Sequence, residues 1–412
     1  MKIGFKQIVL STVFAGLATP VAMAQTADNP FFRGRYTEVA SRTQGDFDPE
    51  AVRAGAFEIW SSLGLGAEYN TNVFATDGNE DDDTFIRVRP EVLARSNWSV
   101  HELTAGVAVD HRDYVTFDSE TTTDYRAFVG GRLDVQRPFY LRGRVDAAHV
   151  TEPRYEPASS GQLEPAQYDL LSATAGAVFR RDRFQIEGDF TNSEQDFDAA
   201  FFDYRDVTEN SVFTRASYAV SPDVALFVQG RRSDLDYDSA DTDGTRTWIQ
   251  VGTSFELQAP FRGEIAVGSV NDEKDDLDLV DTDGLSVDGR VFWFPTQLTT
   301  VAFRANRGVT DTGVQTSPSV TDTRFGVRVD HELLRNVILF GDIGFGKYEY
   351  EEIDREDQFT NFEVGAGYKL NKHARLDFSY RLNNQESSGT QADLLRLNVD
   401  QNIFAVGIKF YP

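Results

Sequence analysis

No cysteine occurs among the 412 residues. That excludes disulfides, thiolate metal sites and a lipid-attachment cysteine. Methionine is scarce, 2 residues against 32 phenylalanines, which suits a surface of packed strands better than an adaptable soluble core. Histidine is confined to positions 101, 111, 149, 331 and 373, with no HExxH spacing, and the chain carries no Gly-x-Ser-x-Gly elbow, P-loop or dinucleotide fingerprint. Neither an enzyme nor a cofactor is expected on these grounds. Basic residues are outnumbered, 40 Lys and Arg by 66 Asp and Glu, for a formal net charge of −26. Nucleic acid is thereby excluded as a partner, because its phosphates demand a basic footprint.

Long apolar runs are also missing. Beyond residue 24 no stretch approaches the roughly 18–20 apolar residues that a helical membrane span requires. The start of the chain does have a short one. Lys2 and Lys6 precede an apolar run from Ile8 to Leu17, and Ala22-Met23-Ala24 supplies a small-x-small cleavage site. Residues 1–24 therefore read as a secretory signal peptide. A secreted chain without spanning helices still enters a membrane if its strands close into a barrel, since closure satisfies every backbone group.

What the chain has in abundance is alternation. Along Ala374–Leu382 the even positions are apolar or aromatic and the odd ones are polar or small, and Phe404, Val406, Ile408 and Phe410 share one face of the last segment. A period of two marks strands with one apolar and one wet face. From residue 55 to 412 the pattern resolves into about eighteen segments of roughly 10–16 residues, with sixteen as the alternative count. Tight connections such as Gln136-Arg137-Pro138, Ser221-Pro222-Asp223 and Ala259-Pro260 alternate with longer polar ones, among them 70–83, 115–122, 154–167, 274–282, 310–319 and 386–395. Short turns on one side and long loops on the other predict an all-β fold, a transmembrane antiparallel up-and-down β-barrel in the outer membrane, with both termini on the periplasmic side. Aromatics beside the turns (Trp98, Phe184, Tyr218, Trp293, Phe294) and beside the loops (Tyr69, Phe85, Tyr114, Tyr155, Tyr168, Tyr237, Tyr348, Phe359) predict two interfacial girdles. Residues 25–54 do not alternate and read as an irregular periplasmic lead-in, a plain tether ahead of a plug or a partner-docking segment as alternatives.

The face opposite the apolar one carries both signs of charge. Arg87, Arg89, Glu91 and Arg95 share it on one strand, as do Arg142, Arg144 and Asp146 on another. Glu187 and Asp189, Arg324 and Arg328, and Arg375, Asp377 and Arg381 repeat the arrangement. A charge on the lipid face near the midplane costs about 2–4 kcal/mol, so these residues are candidate pore-lining groups. The acidic excess sits in the long loops, as in Asp77, Glu80–Asp83, Asp234–Asp243 and Asp272–Asp283. The run Asp234, Asp236 and Asp238 is a weak candidate for divalent cation, lacking the Gly and terminal Glu of an EF-hand loop.

Asp48–Phe57, then Leu63–Phe74, then Arg95-Ser96-Asn97-Trp98-Ser99-Val100-His101 resemble the opening strands of the putative β-barrel porin 2 family. The resemblance implies an outer-membrane barrel, and some members are associated with exopolysaccharide secretion. It supplies no catalytic residues. The expected function is thus an outer-membrane channel serving as an exit porin for exopolysaccharide. The alternatives are a general diffusion porin for small solutes and a structural or adhesive barrel with acidic surface loops. Expected partners are outer-membrane lipid and lipopolysaccharide, the barrel assembly machinery, polysaccharide and periplasmic export components.

Overall fold

A computed structural model describes residues 31 and 33–412, apart from 157–158, 160–161, 239–241, 277–278, 315–316 and 391–397. Residues 1–24, expected to be a signal peptide, lie outside the described residues. A short strand β1 (Val52–Ala54) leads into β2 (Phe57–Asn70), β3 (Asp83–Ser96), β4 (Glu102–Tyr114), β5 (Thr122–Gln136) and β6 (Phe139–Thr151). There follow β7 (Gln167–Arg181), β8 (Phe184–Phe197), β9 (Val207–Ala219), β10 (Val224–Tyr237), β11 (Gly244–Glu256), β12 (Phe261–Lys274) and β13 (Thr282–Thr296). The chain finishes with β14 (Thr299–Val314), β15 (Ser317–Leu334), β16 (Val337–Tyr350), β17 (Glu356–Asn371), β18 (Ala374–Ser388) and β19 (Val399–Phe410).

Each strand from β2 onward pairs antiparallel with the next, and β19 returns to β2 with Phe404 opposite Tyr69 and Ile408 opposite Leu65. The sheet is therefore a ring of eighteen strands, β2–β19, with β1 appended as an outlying strand on β2. Closure leaves no unpaired edge, the condition for a sheet to sit in lipid. Every segment expected from alternation is a strand. One loop is not a loop: residues 310–314 and 317–319 extend the β14–β15 hairpin, with Thr310 opposite Val320 and Val314 opposite Ser317.

Many outward positions are apolar and uncovered by protein. Ile249 and Val251 on β11, Phe378 on β18 and Val406 on β19 are all exposed. Arg246, Gln250, Ser254 and Glu256 alternate with the first two and face in. In water such an exterior would be an aggregation surface; in a bilayer it is the solvated one.

The expected girdle holds on one side only. Phe184, Tyr218 and Trp293, near the turns, are exposed on the outer face. Phe294 instead turns inward and stacks on Tyr36, ring centroids 5.0 Å apart. Near the loops Tyr69 and Tyr125 point out. Phe85, Tyr114, Tyr168, Tyr237, Tyr348 and Phe359 lie on inner faces, and Tyr155 sits on a loop that enters the barrel. These rings pack with one another and with charged groups inside, as Phe85 does on Tyr114 (4.7 Å) and Tyr348 on Phe359 (4.8 Å).

Candidate channel interior

Strand parity turns all fourteen pore-lining candidates inward, and most are tied to a partner on the wall. Arg87 Nη1 donates to Glu68 Oε1 at 2.8 Å and its Nε to Asp110 Oδ1 at 2.7 Å, bridging β2 and β4 across β3. All three side chains are buried. Arg89 lies on the same face against Gly64 of β2. Glu91 accepts from Lys409 of β19 at 2.6 Å, and Arg95 reaches Glu102 at 2.7 Å.

On the next wall Arg142 of β6 bridges to β8, holding Asp189 through two hydrogen bonds and Glu187 at 3.1 Å. The strand between them offers Gly176 at the crossing point, where a Cβ would overlap Asp189 Oδ1. Arg144 and Arg126 converge on Asp146 at 2.5 and 2.7 Å, and the Arg144 guanidinium lies 3.9 Å from the centre of the Phe128 ring. Farther round, Arg324 pairs with Asp322 at 2.9 Å and Arg328 with Asp330 at 3.0 Å. Arg375 pairs with Asp377 at 2.6 Å and Arg381 with Glu363 at 3.2 Å.

The inner wall holds further pairs that were not singled out in the sequence. Arg215 of β9 spans two strands to grip Glu264 of β12, both contacts at 2.7 Å. Arg304 reaches Asp342 at 2.6 Å, and Arg246 reaches Asp311 at 2.7 Å. The inward parity of the three arginines was legible; their partners, two or three strands away in the ring, were not. Asp272, expected on an acidic outer loop, is instead fully buried on the inner face of β12, accepting from Ser319 at 2.6 Å. Likewise Asp83 caps the backbone N–H groups of Thr116 and Phe117 at 2.9 and 3.0 Å.

The mouth on the side of the tight turns is not open all round. Glu256, at the inner end of β11, accepts from the backbone N–H groups of Arg33, Gly34 (3.0 Å) and Arg35 (2.6 Å). The Tyr36 hydroxyl donates to the carbonyls of Leu257 and Gln258, and Val39 N–H donates to Thr300 at 3.0 Å. Glu38 pairs with Arg262, Arg42 with Glu332 (2.6 Å) and Asp48 with Lys369 (2.5 Å). The lead-in is therefore a strap along the inner rim from β11 to β17, not the expected tether.

At the other mouth the β6–β7 loop folds inward. Arg154, buried, is held by Glu120 and by the Gln162 carbonyl at 2.8 Å. That anchor projects Tyr155 and Glu156 into a cavity of about 190 Å³ shared with Arg112, Tyr348, Arg381 and Gln401. These partners stand on β4, β16, β18 and β19, so the loop crosses toward the opposite wall.

The weak metal candidates lie elsewhere. Asp234 and Asp236 are on the outer face of β10, not in a loop, with Asp234 accepting from Thr245 at 3.2 Å and 3.6 Å from Arg232. Asp238 follows the strand end. Among the described residues the grouping with metal-ligand spacing is His149, Asp169 and Asp198, also on the outer surface. Both His149 ring nitrogens there are already engaged, by Asp169 and Gln167.

Comparison with known proteins agrees with this geometry. The fold of Pseudomonas aeruginosa OccK2 (OpdF) is similar at a TM-score of 0.50 and 10% identity, covering 86% of this chain and 98% of that one. P. aeruginosa OccK9 (OpdG) gives a TM-score of 0.48 at 11% identity, covering 86% and 98%. The FrpB iron transporter of Neisseria meningitidis gives 0.49 at 8% identity, covering 85% and 66%. No curated protein matches the chain. The model of the family described as "Putative beta-barrel porin 2" matches residues 44–410. A closed barrel with an apolar exterior and a charged interior, matched over nearly its whole length, belongs to that porin family and resides in the outer membrane.

Proposed function

We propose that the protein is a diffusion channel for small polar solutes, lined by the paired charges of the inner wall. The observation that supports this reading is the narrowing of the lumen at both mouths. Eighteen strands enclose more space than wall side chains fill, and the strap and the β6–β7 loop then occupy part of it. A passage of this kind suits solutes a few ångströms across and is poorly suited to a hydrated polymer.

The lining favours transit over capture. Arg87, Arg142, Arg215 and Arg304 are each paired with a wall carboxylate, so at these positions a passing solute meets a dipolar pair instead of bare charge. Sites that are numerous and individually weak let a solute enter and leave. Export of exopolysaccharide, the expectation raised by family resemblance, would require the strap and loop to move aside. Partnership with lipopolysaccharide follows from the apolar exterior; partnership with export components rests on that family association.

The test is liposome swelling with sugars of increasing size, beside secreted and periplasmic polysaccharide in a deletion strain. Uptake of mono- and disaccharides with a sharp upper size limit, and unchanged polymer secretion, is the expected result. Swelling by none of the sugars, or polymer trapped in the periplasm of the deletion strain, would overturn the reading.

A further inference from the structure

We infer that Glu156, on the inward-folded β6–β7 loop, is the anchor of a binding site for small organic cations, a role that rests on the channel reading above. Around its cavity the other charged side chains have been answered by neighbours. Arg87 is held by Glu68 and Asp110, Arg112 by Asp124 (3.1 Å) and Arg381 by Glu363 (3.2 Å). Arg154 is held by Glu120, Arg205 by Glu152 (2.7 Å), and Asp311 by Arg246 (2.7 Å). The Glu156 carboxylate has no such partner in the described structure. Its own backbone makes the local turn bonds, to Pro153 and from Ser159, which fix the loop while leaving the side chain uncommitted.

The groups facing Glu156 come from five elements. Its own loop supplies Tyr155 and Glu152, and the loop before β9 supplies Arg205. Arg324 and Asp322 face it from β15, Tyr348 from β16 and Tyr168 from β7. Both arginines are paired elsewhere, Arg324 with Asp322 at 2.9 Å and Arg205 with Glu152. What remains is one carboxylate in a cavity that Tyr155, Tyr168 and Tyr348 also line, an environment that a cation on a short carbon chain would complete. Carboxylate and ring faces both attract such a cation, the second by the ring quadrupole. At about 190 Å³ the cavity has room for an ammonium on a few carbons, given that a water takes up about 30 Å³ in the liquid. The exposed acids above the mouth, including Asp77, Glu80, Asp81 and Asp82, are of the sign that draws cations toward it.

Burial, opposed by Arg324, raises the Glu156 carboxyl to about 7. The sign follows. Below about pH 7 the group is neutral and the site is weak; above it the group ionises and cation binding strengthens. The probes are a potassium chloride gradient and n-butylammonium chloride, applied to the full-length folded barrel in planar bilayers. Expected results are a reversal potential more cation-selective at about pH 8 than at about pH 6, and butylammonium retarding the potassium current more at the higher pH. Glu156→Gln should abolish both pH dependences and weaken butylammonium block about tenfold or more, while Glu156→Asp keeps part of each. A conducting Glu156→Gln channel with wild-type reversal potential and block would overturn the site. Heat-dependent gel mobility shows that each variant is folded. If the folded wild type conducts nothing, the channel reading fails, and calorimetry of butylammonium on the detergent-folded barrel decides the site: binding lost in Glu156→Gln supports it, and no binding by the wild type refutes it.

Discussion

Arg87 is the most exacting test of how the wall is held. Its side chain is 10% exposed, with Glu68 at 9% and Asp110 at 3%. Replacing it with Met conserves much of the volume and leaves two buried carboxylates facing each other across β3. Removing one partner of a buried ion pair costs about 3–5 kcal/mol, mostly from the charge left behind. Arg112 stands 3.5 Å from Asp110 and takes up part of that loss, so the lower half of the range, about 3–4 kcal/mol, is expected. The assay is urea unfolding of the refolded barrel in detergent or lipid vesicles, read by the loss of native gel mobility. The triple variant Arg87→Met, Glu68→Gln, Asp110→Asn should recover most of the stability, because no charge is then stranded. An Arg87→Met barrel with a wild-type unfolding midpoint, or a triple variant no better than the single one, would refute the argument that these pairs brace the wall.

Face assignment is tested by arginine scanning. Phe378→Arg and Val327→Arg put a charge in lipid and should cost about 2–4 kcal/mol and block membrane assembly, whereas Ser379→Arg should be tolerated; equal tolerance at the three sites would sink the assignment. Gly176→Val places a side chain where Arg142 meets Asp189 and should lower the urea midpoint by about 2–4 kcal/mol in stability, a loss that Asp189→Ala in the same chain should partly relieve. Glu256→Ala removes the acceptor of the strap's backbone N–H groups; trypsin should then cut after Arg33, Arg35 or Arg42 faster than in the wild type while the barrel stays intact.

Much of the barrel was readable because its rule is local. In a bilayer each strand residue faces lipid or lumen, and the two choices alternate. The eighteen segments, the tight turns with Pro138, Pro222 and Pro260, and the inward parity of Arg142 or Arg381 all follow from neighbours within a few positions. The aromatics near the loops misled for the same reason. Tyr114, Tyr168 and Tyr348 stand at the strand ends where a girdle is expected, yet their parity is inward, and parity decides the face. Asp272 misled because an acid beside acidic neighbours reads as solvated until Arg246 and Ser319 arrive from β11 and β15.

The sequence by itself determined the period, a count of about eighteen strands, the compartment and which residues turn toward the lumen, since these depend on side-chain chemistry taken two residues at a time. Tertiary structure decided everything that joins distant segments. Ring closure sets Tyr69 beside Phe404, a Gly176-sized gap lets Arg142 reach over a strand, Glu256 ties down a strap from the far end of the chain, and the Arg154 anchor carries Glu156 toward the opposite wall. No local pattern encodes those meetings, because they arise only when the strand register and the shear of the closed sheet fix which residues share a height in the barrel.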